Sequence, residues 1–391
     1  MTCNDGTVFN LIFLTVEVCY VLAMDLMGLI YAPTNESLEQ AARLLRDGEV
    51  VGIPTETVYG LAADAFNVGA LTKVFSVKER PTFDPLIVHV TASGAAPVDL
   101  ALLDHLQLID LRLFSDTAKK RADALIHEFW PGPLTLVLPK SPKVPDLATA
   151  GLPTVAIRMP RHEVTRVLIE KARVPLAAPS ANRFGRISPT TAQDVVTELG
   201  DRIPMVIDGG PCEIGLESTV LLINPDGALF LLRPGAISRE ELERSSGAEI
   251  LIGPGNAENT PQQAPGLLSS HYAPTKMLNL LPSSLRDLSN EERRRFVERC
   301  KSVSTVGFLS FSEGIQTQAL LKESLPSCEV ILESLPLSSS PKEAAQYFFS
   351  KLRSLDRSKA EILFSEPCAT NTALGYAIFD RLRRASVPRT S

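Results

Sequence analysis

The sequence lacks the motifs of the commonest nucleotide and metal sites. It contains no G-x-x-x-x-G-K-[ST] loop, no G-x-G-x-x-G loop and no H-E-x-x-H helix, which excludes the usual P-loop, dinucleotide and zinc-protease signatures. A G-x-S-x-G nucleophile elbow is also missing. The five histidines are dispersed along the 391 residues, so their spacing gives no indication of a metal site.

The six cysteines include no C-x-x-C pair. In a chain of this length, scattered cysteines are typical of reduced thiols and not of a disulfide framework or a structural zinc site. We therefore expect a cytoplasmic protein.

The N-terminal stretch 8–32 is apolar, but Glu17 and Asp25 interrupt it. Its uncharged runs are well short of the ~20 residues that a membrane span needs. No lysine or arginine precedes Arg43, so the charged start of a secretory signal is missing. We expect no membrane partner. Residues 1–32 are either an uncertain extension upstream of the working start or an additional packed element.

The charge is unevenly distributed along the chain. Residues 1–275 contain 22 basic and 32 acidic side chains, whereas residues 276–391 contain 17 and 13. An acidic first part does not indicate a basic nucleic-acid-binding protein. The length exceeds that of most single cores and predicts two domains.

Short β-branched runs that end at Pro, Gly or Asn alternate with helical stretches, and this pattern predicts an α/β fold with a twisted sheet. A stretch rich in Pro, Gly, Ser, Asn and Gln has the composition of a linker, and a second strand–helix alternation after it predicts a small open parallel sheet. The expected domains are a catalytic domain at 33–245, a linker or lid at 246–276 and a smaller domain at 277–391.

Cations and hydroxyl groups follow or precede several predicted strands, with Lys78 and Arg80 on a constrained loop before the strand that contains His89. In a twisted α/β sheet the loops at strand ends converge on a crevice where ligands bind. Several cations there suit polyphosphate and carboxylate groups. Taken singly, each residue is equally an ordinary turn former or surface charge.

Seven segments resemble, in order, the YrdC-like domain of the threonylcarbamoyl-AMP synthase family. They are PTETVYGLAADA (54–65), KERPTFDPLIVHV (78–90), FWPGPLTLVL (129–138), TVAIRMPRH (154–162), PLAAPSANRFGRISPT (175–190), IDGGPCEIGLESTV (207–220) and LLRPGAIS (231–238). APGLLSSHYAPT (264–275) resembles the linker of the two-domain form of this family, and LGYAIFDRLRRAS resembles the last helix of its C-terminal domain. The resemblance implies a YrdC-like twisted-sheet α/β domain, a linker and a smaller Rossmann-like α/β domain.

The implied reaction joins L-threonine, bicarbonate and ATP into threonylcarbamoyl-AMP and pyrophosphate, with Mg²⁺ bound through ATP and not by side chains. A downstream tRNA threonylcarbamoyl transferase then modifies the adenosine beside the anticodon of certain tRNAs. Contact of this chain with tRNA would be indirect.

The resemblance also implies roles for individual residues. It places Lys78, Arg80, Ser180 and Asn182 in catalysis. It places ATP against Arg80, Asp84, Thr154, Ser180, Ser188 and Arg233. It places threonine against Thr57, His89, Arg158, Ala178 and Ser218, and a lid at His271 and Tyr272.

Three of these roles have alternatives. His89 is alternatively a core histidine on a strand. The linker is alternatively a passive tether between the domains. Asp84 stands where family members often carry asparagine, and a carboxylate near phosphates weakens binding unless it faces magnesium or the adenosine.

Two other functions remain open. A carbamoyl-adenylate-forming transferase that uses carbamoyl phosphate would share the fold, although such proteins usually add zinc modules and an acylphosphatase-like domain. A non-catalytic RNA-binding module would use the arginine clusters 293–295 and 381–384, which the charge pattern otherwise predicts to be solvated helix faces.

Overall fold

A computed structural model describes residues 28–92, 98–253, 268, 270–337 and 340–387. Residues 1–27 of the uncertain extension 1–32, and residues 254–267 and 269 of the expected linker or lid 246–276, lie outside the described residues. Within 1–32, Ile30–Tyr31 form a strand that pairs with Val206–Ile207, so this part is a packed element. No helix in the described part is both long and apolar enough to cross a membrane.

The described residues form two sheets, of eleven and four strands. The first consists of β1 (Ile30–Tyr31), β2 (Val51–Ile53), β3 (Gly60–Asp64), β4 (Ile87–His89), β5 (Leu134–Pro139), β6 (Thr154–Arg158), β7 (Leu176–Ala177), β8 (Val206–Ile207), β9 (Thr219–Ile223), β10 (Leu229–Arg233) and β11 (Ile250–Ile252). The second consists of β12 (Leu278–Leu280), β13 (Thr305–Ser310), β14 (Glu329–Ser334) and β15 (Ile362–Ser365).

The helices of the first part are α1 (Asn35–Arg46), α2 (Val68–Lys78), α3 (Leu100–His105), α4 (Asp116–Phe129), α5 (Asp146–Thr149), α6 (Glu163–Ala172), α7 (Ala192–Leu199) and α8 (Arg239–Ser246). Those of the second part are α9 (Asn290–Cys300), α10 (Gly314–Ser324), α11 (Pro341–Arg357) and α12 (Ala373–Ala385). Many begin where the sequence supplies a capping side chain. The Thr34 hydroxyl, for example, accepts a hydrogen bond from Ser37 N at the start of α1.

The first sheet is mixed, with strand order β1-β8-β2-β3-β7-β4-β6-β5-β9-β10-β11. Near its centre β4 lies parallel to β6 and antiparallel to β7, which brings the ends of strands from distant parts of the chain together. The second sheet has the order β12-β15-β13-β14 and is parallel throughout. Parallel neighbours need crossover connections, which the helices between these strands provide. Both sheets confirm the α/β fold.

Two local features differ from expectation. Lys78 is the last residue of α2 and not part of a loop, and Glu79 then adopts a left-handed conformation with φ of 54° that turns the chain toward Arg80. This helix is hard to recognise from sequence because its residues include Gly69 and several β-branched side chains. The first sheet also continues beyond residue 245, where β11 pairs with β10.

The expectation that the last arginine cluster is a solvated face was wrong for two of its members. Arg381 is fully buried and Arg384 is 9% exposed, whereas Arg383 is at the surface with a 59% exposed side chain. Arg381 and Arg384 face inward on α12 and pair with carboxylates, because a buried guanidinium group requires an opposite charge. Neither is available to RNA in this arrangement.

The two domains pack closely at Gly215, which has a φ of +73°. A Cβ atom at this position would lie 2.3 Å from the backbone oxygen of Gln346 on α11. The loop before β9 therefore approaches the second domain at a distance that only glycine permits.

Alanine substitutions at two glycines test this contact. Gly151 has a similar φ of +76° but open space around it, so Gly151→Ala should lower the free energy of unfolding by about 1–2 kcal/mol through backbone strain alone. Gly215→Ala should lower it by about 1–3 kcal/mol more, because the added methyl group displaces α11. Differential scanning calorimetry measures the stability of the two variants. An equal loss of unfolding free energy in both would refute the close domain contact.

Candidate active site

One cavity lies where β4 and β6 end and where residues of the second half of the chain cover the first sheet. Its volume is about 40 Å³. It is lined by Thr55, Thr57, Val58, Tyr59, Gly60, Arg80, Ile87, His89, Arg158, Ala178, Pro179, Ser180, Glu217, Ser218, Arg233, His271 and Tyr272. Three arginines and one glutamate are among these residues, so cations outnumber acids in the lining.

Arg158 forms one wall of this cavity at the end of β6. Its Nη2 pairs with Glu56 Oε1 at 2.7 Å, and its Nη1 donates to Thr57 Oγ1 at 2.8 Å. Its Nε donates a hydrogen bond to the carbonyl oxygen of Gly132 at 3.1 Å. Burial raises the pKa of Glu56, but the charge and hydrogen bonds of Arg158 outweigh it, so the pKa lies below its ordinary value. The guanidinium group is thus held rigidly at the cavity wall.

His89 lies beside Arg158, since the two residues are register partners on β4 and β6. Its Nδ1 is 3.1 Å from the carbonyl oxygen of Ile87. Burial and the positive charge of Arg158 lower the pKa of His89 to about 3. The ring is therefore neutral at physiological pH, which suits hydrogen bonding to a substrate and not charge neutralisation.

Arg80 also lines the cavity. Its Nη2 lies 2.9 Å from Asp84 Oδ2 and donates to the carbonyl oxygen of Pro85 at 2.7 Å. Asp84 is fully buried behind Arg80 and does not line the cavity. Burial raises the pKa of Asp84 even though Arg80 opposes this. Because Asp84 faces Arg80, its carboxylate is positioned to hold the guanidinium group and not to face a ligand.

Lys78 connects the segment that contains Arg80 to the segment that contains Ser180 and Asn182. Its Nζ donates to the carbonyl oxygen of Ser180 at 2.5 Å and to that of Asn182. Burial and the nearby charge of Arg80 lower the pKa of Lys78 well below its ordinary value. The Asn182 side chain in turn donates to the carbonyl oxygens of Arg183 and Arg186 at 2.7 and 3.0 Å. Lys78 therefore orients the segment that places Ser180 at the cavity.

Ser218 and Arg233 form the next part of the wall. Arg233 donates from Nη2 to the backbone oxygen of Ser218 at 3.0 Å and to its Oγ at 3.2 Å. The Ser218 hydroxyl also lies 2.7 Å from Thr135 Oγ1. These contacts fix both residues at the start and end of the β9–β10 hairpin.

His271 and Tyr272 cover the cavity from outside the first sheet. The two rings contact each other edge to face with centroids 4.2 Å apart, and the His271 ring also lies against Phe184 at 5.8 Å. Ala273 N donates to the carbonyl oxygen of Gly185 at 2.8 Å, which attaches this segment to the first domain. Burial raises the pKa of Tyr272 to about 12, so its hydroxyl is neutral.

The cavity brings together most of the residues that the sequence predicted. Eight of the catalytic and ligand-binding candidates line it, together with both lid residues: Thr57, Arg80, His89, Arg158, Ala178, Ser180, Ser218, Arg233, His271 and Tyr272. Lys78, Asp84, Asn182 and Ser188 are described but lie behind the lining. Thr154 begins β6, roughly 13 Å from Arg158 at the rise of a strand, and also lies outside the lining.

Sequence reasoning did not identify Glu56 and Glu217 as site residues, although both belong to segments that carried the resemblance. Glu56 pairs with Arg158 and Glu217 with Arg381. A glutamate flanked by threonines in a Pro-Thr-Glu-Thr turn was the available signal for Glu56. The partner of Glu217 is 164 residues away, and no sequence pattern indicates such a pair.

Two family models match the chain. One, described as "Telomere recombination", matches residues 43–235, and the other, described as "Threonylcarbamoyl-AMP synthase, C-terminal domain", matches residues 237–387. The Bacillus subtilis threonylcarbamoyl-AMP synthase is 38% identical over 90% of this chain and 94% of its own length. The Pyrococcus abyssi threonylcarbamoyl-AMP synthase is 36% identical over 88% of this chain and 93% of its own length. This chain belongs to the threonylcarbamoyl-AMP synthase family.

A solved structure supports the same family. The crystal structure of P. abyssi Sua5 complexed with L-threonine matches with a TM-score of 0.75 and 34% identity, over 91% of this chain and 97% of that one. The resemblance recognised in the sequence and the two-part α/β fold that it implied are thereby confirmed.

The low pKa of His89 predicts a pH-dependent stability. Between about pH 3 and pH 6.5 the unfolded chain binds a proton at His89 that the folded protein does not bind, so folding stability rises with pH over this window. His89→Gln removes this contribution. Between pH 7.5 and pH 5 the wild type should lose about 2 kcal/mol more stability than His89→Gln.

Urea unfolding at the two pH values measures this difference. His127→Gln, at an exposed position, is the matched control and should lose as much stability as the wild type. An equal loss in wild type and His89→Gln would show that the histidine is not buried in neutral form.

Proposed function

We propose that this chain catalyses the formation of threonylcarbamoyl-AMP and pyrophosphate from L-threonine, bicarbonate and ATP. One observation carries the proposal. In a member of this family, a cluster suited to an amino acid carboxylate, Arg158 with Thr57 and His89, lines the same cavity as Arg80 and Arg233. The relative with the same architecture was solved with L-threonine.

The threonine side of the cavity is suited to an amino acid. Arg158 offers a planar fork that matches a carboxylate. Neutral His89 and the Thr57 hydroxyl can hold an amine or a hydroxyl group. Threonine and bicarbonate combine into an N-carboxy amino acid with loss of water, and this anion is itself the nucleophile. The residues therefore need to orient it toward the α-phosphorus, and no strong general base is required.

Other residues of the same lining are suited to phosphates. Arg80 and Arg233 are both buried at its wall, where a fixed positive charge is worth more than in water. Ser180 also lines the cavity, and Lys78 holds it in place through a hydrogen bond to its carbonyl oxygen. These groups stabilise the charge that develops as the carbamate oxygen bonds to the α-phosphorus and pyrophosphate leaves.

The residues present agree with a magnesium ion that is carried by the nucleotide. Asp84, Glu56 and Glu217 each pair with an arginine. Within the described ranges, no group of three His, Cys, Asp or Glu side chains could hold a metal ion. A bound Mg²⁺ would neutralise phosphate charge, with its ligands taken from ATP and water.

The covering residues must move for ATP to enter. A cavity of about 40 Å³ is far smaller than the roughly 300–1,000 Å³ of ordinary ligand pockets. His271 and Tyr272 line the cavity but belong to the segment that follows the first domain, so we assign them the role of a lid. Closure would keep water from the product, a mixed anhydride. Their burial at the cavity favours this role over that of a passive tether.

The product would pass to a tRNA threonylcarbamoyl transferase in the cytoplasm. The four described cysteines, Cys212, Cys300, Cys328 and Cys368, are free thiols, which agrees with a reducing compartment. Burial of Arg381 and Arg384 disfavours the RNA-binding alternative, because it removes two of the cations on which that alternative rests.

Pyrophosphate release by the purified chain tests the reaction. We expect release from ATP only when L-threonine and bicarbonate are both present, because neither alone forms the carbamate nucleophile. Replacing both by carbamoyl phosphate tests the carbamoyl-transfer alternative in the same assay. Release that is indifferent to threonine would contradict the proposal.

Substitution of Arg158 tests the threonine side. Arg158→Met should raise the KM for threonine by about 10- to 100-fold, which corresponds to the loss of charge-assisted hydrogen bonds. The matched control is Arg161→Met, three residues along the chain, where the arginine pairs with Glu213 at the surface. The control should keep wild-type kinetics. Comparable KM values in both variants would place the threonine carboxylate elsewhere.

A further inference from the structure

Arg381, on the last helix of the second domain, is the largest of the fully buried side chains. Its Nε lies 3.1 Å from Glu217 Oε2, and its Nη1 donates to the carbonyl oxygen of Pro234 at 2.5 Å. Its guanidinium carbon also lies 5.9 Å from the centre of the Tyr272 ring. All three partners belong to the first domain or to the covering segment.

Each of these contacts reaches a residue that forms or supports the cavity. Glu217 lines the cavity and, through Oε1, accepts a hydrogen bond from Ser188 at 2.5 Å. Pro234 directly follows Arg233. Tyr272 is one of the two covering residues. A single side chain of the second domain therefore joins three parts of the phosphate side of the site.

The apolar contacts around Arg381 follow the same pattern. Val58, Ile187, Leu216 and Tyr272 share one hydrophobic cluster with residues of the second domain such as Phe349 and Leu382. The first three are chain neighbours of Thr57, Ser188 and Glu217, respectively. The second domain thus packs directly behind the site, and the close approach of Gln346 to Gly215 fixes the same loop two residues before Glu217.

We propose that Arg381 is a positioning residue through which the second domain holds Glu217, the Arg233 segment and Tyr272 in the geometry that binds ATP. The inference rests on the proposed function, since it concerns the ATP side of that same site. On this account the second domain completes the active site and is not an independent appendage.

We expect the loss of Arg381 to change the KM for one substrate more than the KM for the other. Arg381 does not contact Arg158, Thr57 or His89, so its loss should disturb ATP binding more than threonine binding. We expect Arg381→Met to raise the KM for ATP by about tenfold while the KM for threonine changes by less than about twofold. Arg381→Lys keeps the charge but not the fork of donors, and should restore part of the ATP affinity.

Arg353 on α11 offers a matched control. It is also a buried arginine that joins the domains, pairing with Asp194 and Glu198 of α7 at 3.2 and 2.9 Å. It donates to the carbonyl oxygen of Ile187 but forms no hydrogen bond or ion pair with the described residues of the cavity lining. Arg353→Met should weaken domain packing, with a lower midpoint of thermal unfolding, and leave the KM for ATP unchanged at a temperature where the variant is folded.

The decisive experiment measures both KM values and, independently of turnover, the Kd for a non-hydrolysable ATP analogue by titration calorimetry. The inference is supported if Arg381→Met raises the Kd for the analogue and Arg353→Met does not. It is overturned if Arg381→Met binds the analogue as tightly as the wild type, or if both variants weaken it equally, which would indicate general loosening of the domains. If the wild type shows no threonine-dependent pyrophosphate release, the proposed function fails. A Kd for the analogue that rises in Arg381→Met alone would still support the role of Arg381 at a nucleotide site.

Discussion

The structure depends on the burial of four guanidinium groups around one small cavity. Arg80, Arg158, Arg233 and Arg381 are each less than 9% exposed. A buried cation is tolerated only when opposite charges and hydrogen-bond acceptors surround it. Three of the groups pair with carboxylates, and all four donate to backbone carbonyl oxygens. The backbone at the cavity is therefore organised by the cations.

This constraint explains why the site draws on distant parts of the chain. The acid that pairs with Arg158 lies in the turn after β2, whereas the acid that pairs with Arg381 lies in the loop before β9. Each ion pair thus joins a strand end or a helix to a loop that would otherwise be free to move. Removing one member would leave the other charged and buried, which is costly, so the pairs act as fixed supports for the groups that line the cavity.

Much of the fold was predictable because its elements follow local rules. The helix Glu163–Ala172 and the strand Thr154–Arg158 are examples, since apolar periodicity and flanking prolines or polar residues indicate such elements in the sequence. The convergence of strand ends in a twisted sheet predicted a crevice, and the residues that the resemblance assigned to it mostly line one cavity. Lys78 was placed wrongly in a loop, since propensity is a weak guide to a helix that tertiary packing stabilises. Thr154 was expected at the ATP site, yet it lies at the far end of the strand that carries Arg158.

The sequence by itself determined the α/β class, the alternation of strands and helices and most of the motif residues that line the cavity, because these depend on local pattern and on recognisable segments. Only the tertiary structure decided which partner each buried charged side chain has. Asp84 lies behind Arg80, Lys78 binds backbone carbonyl oxygens, and Arg381 crosses from one domain to the other. Such pairings depend on the desolvation of groups that are far apart in the chain, and desolvation exists only once the domains have packed.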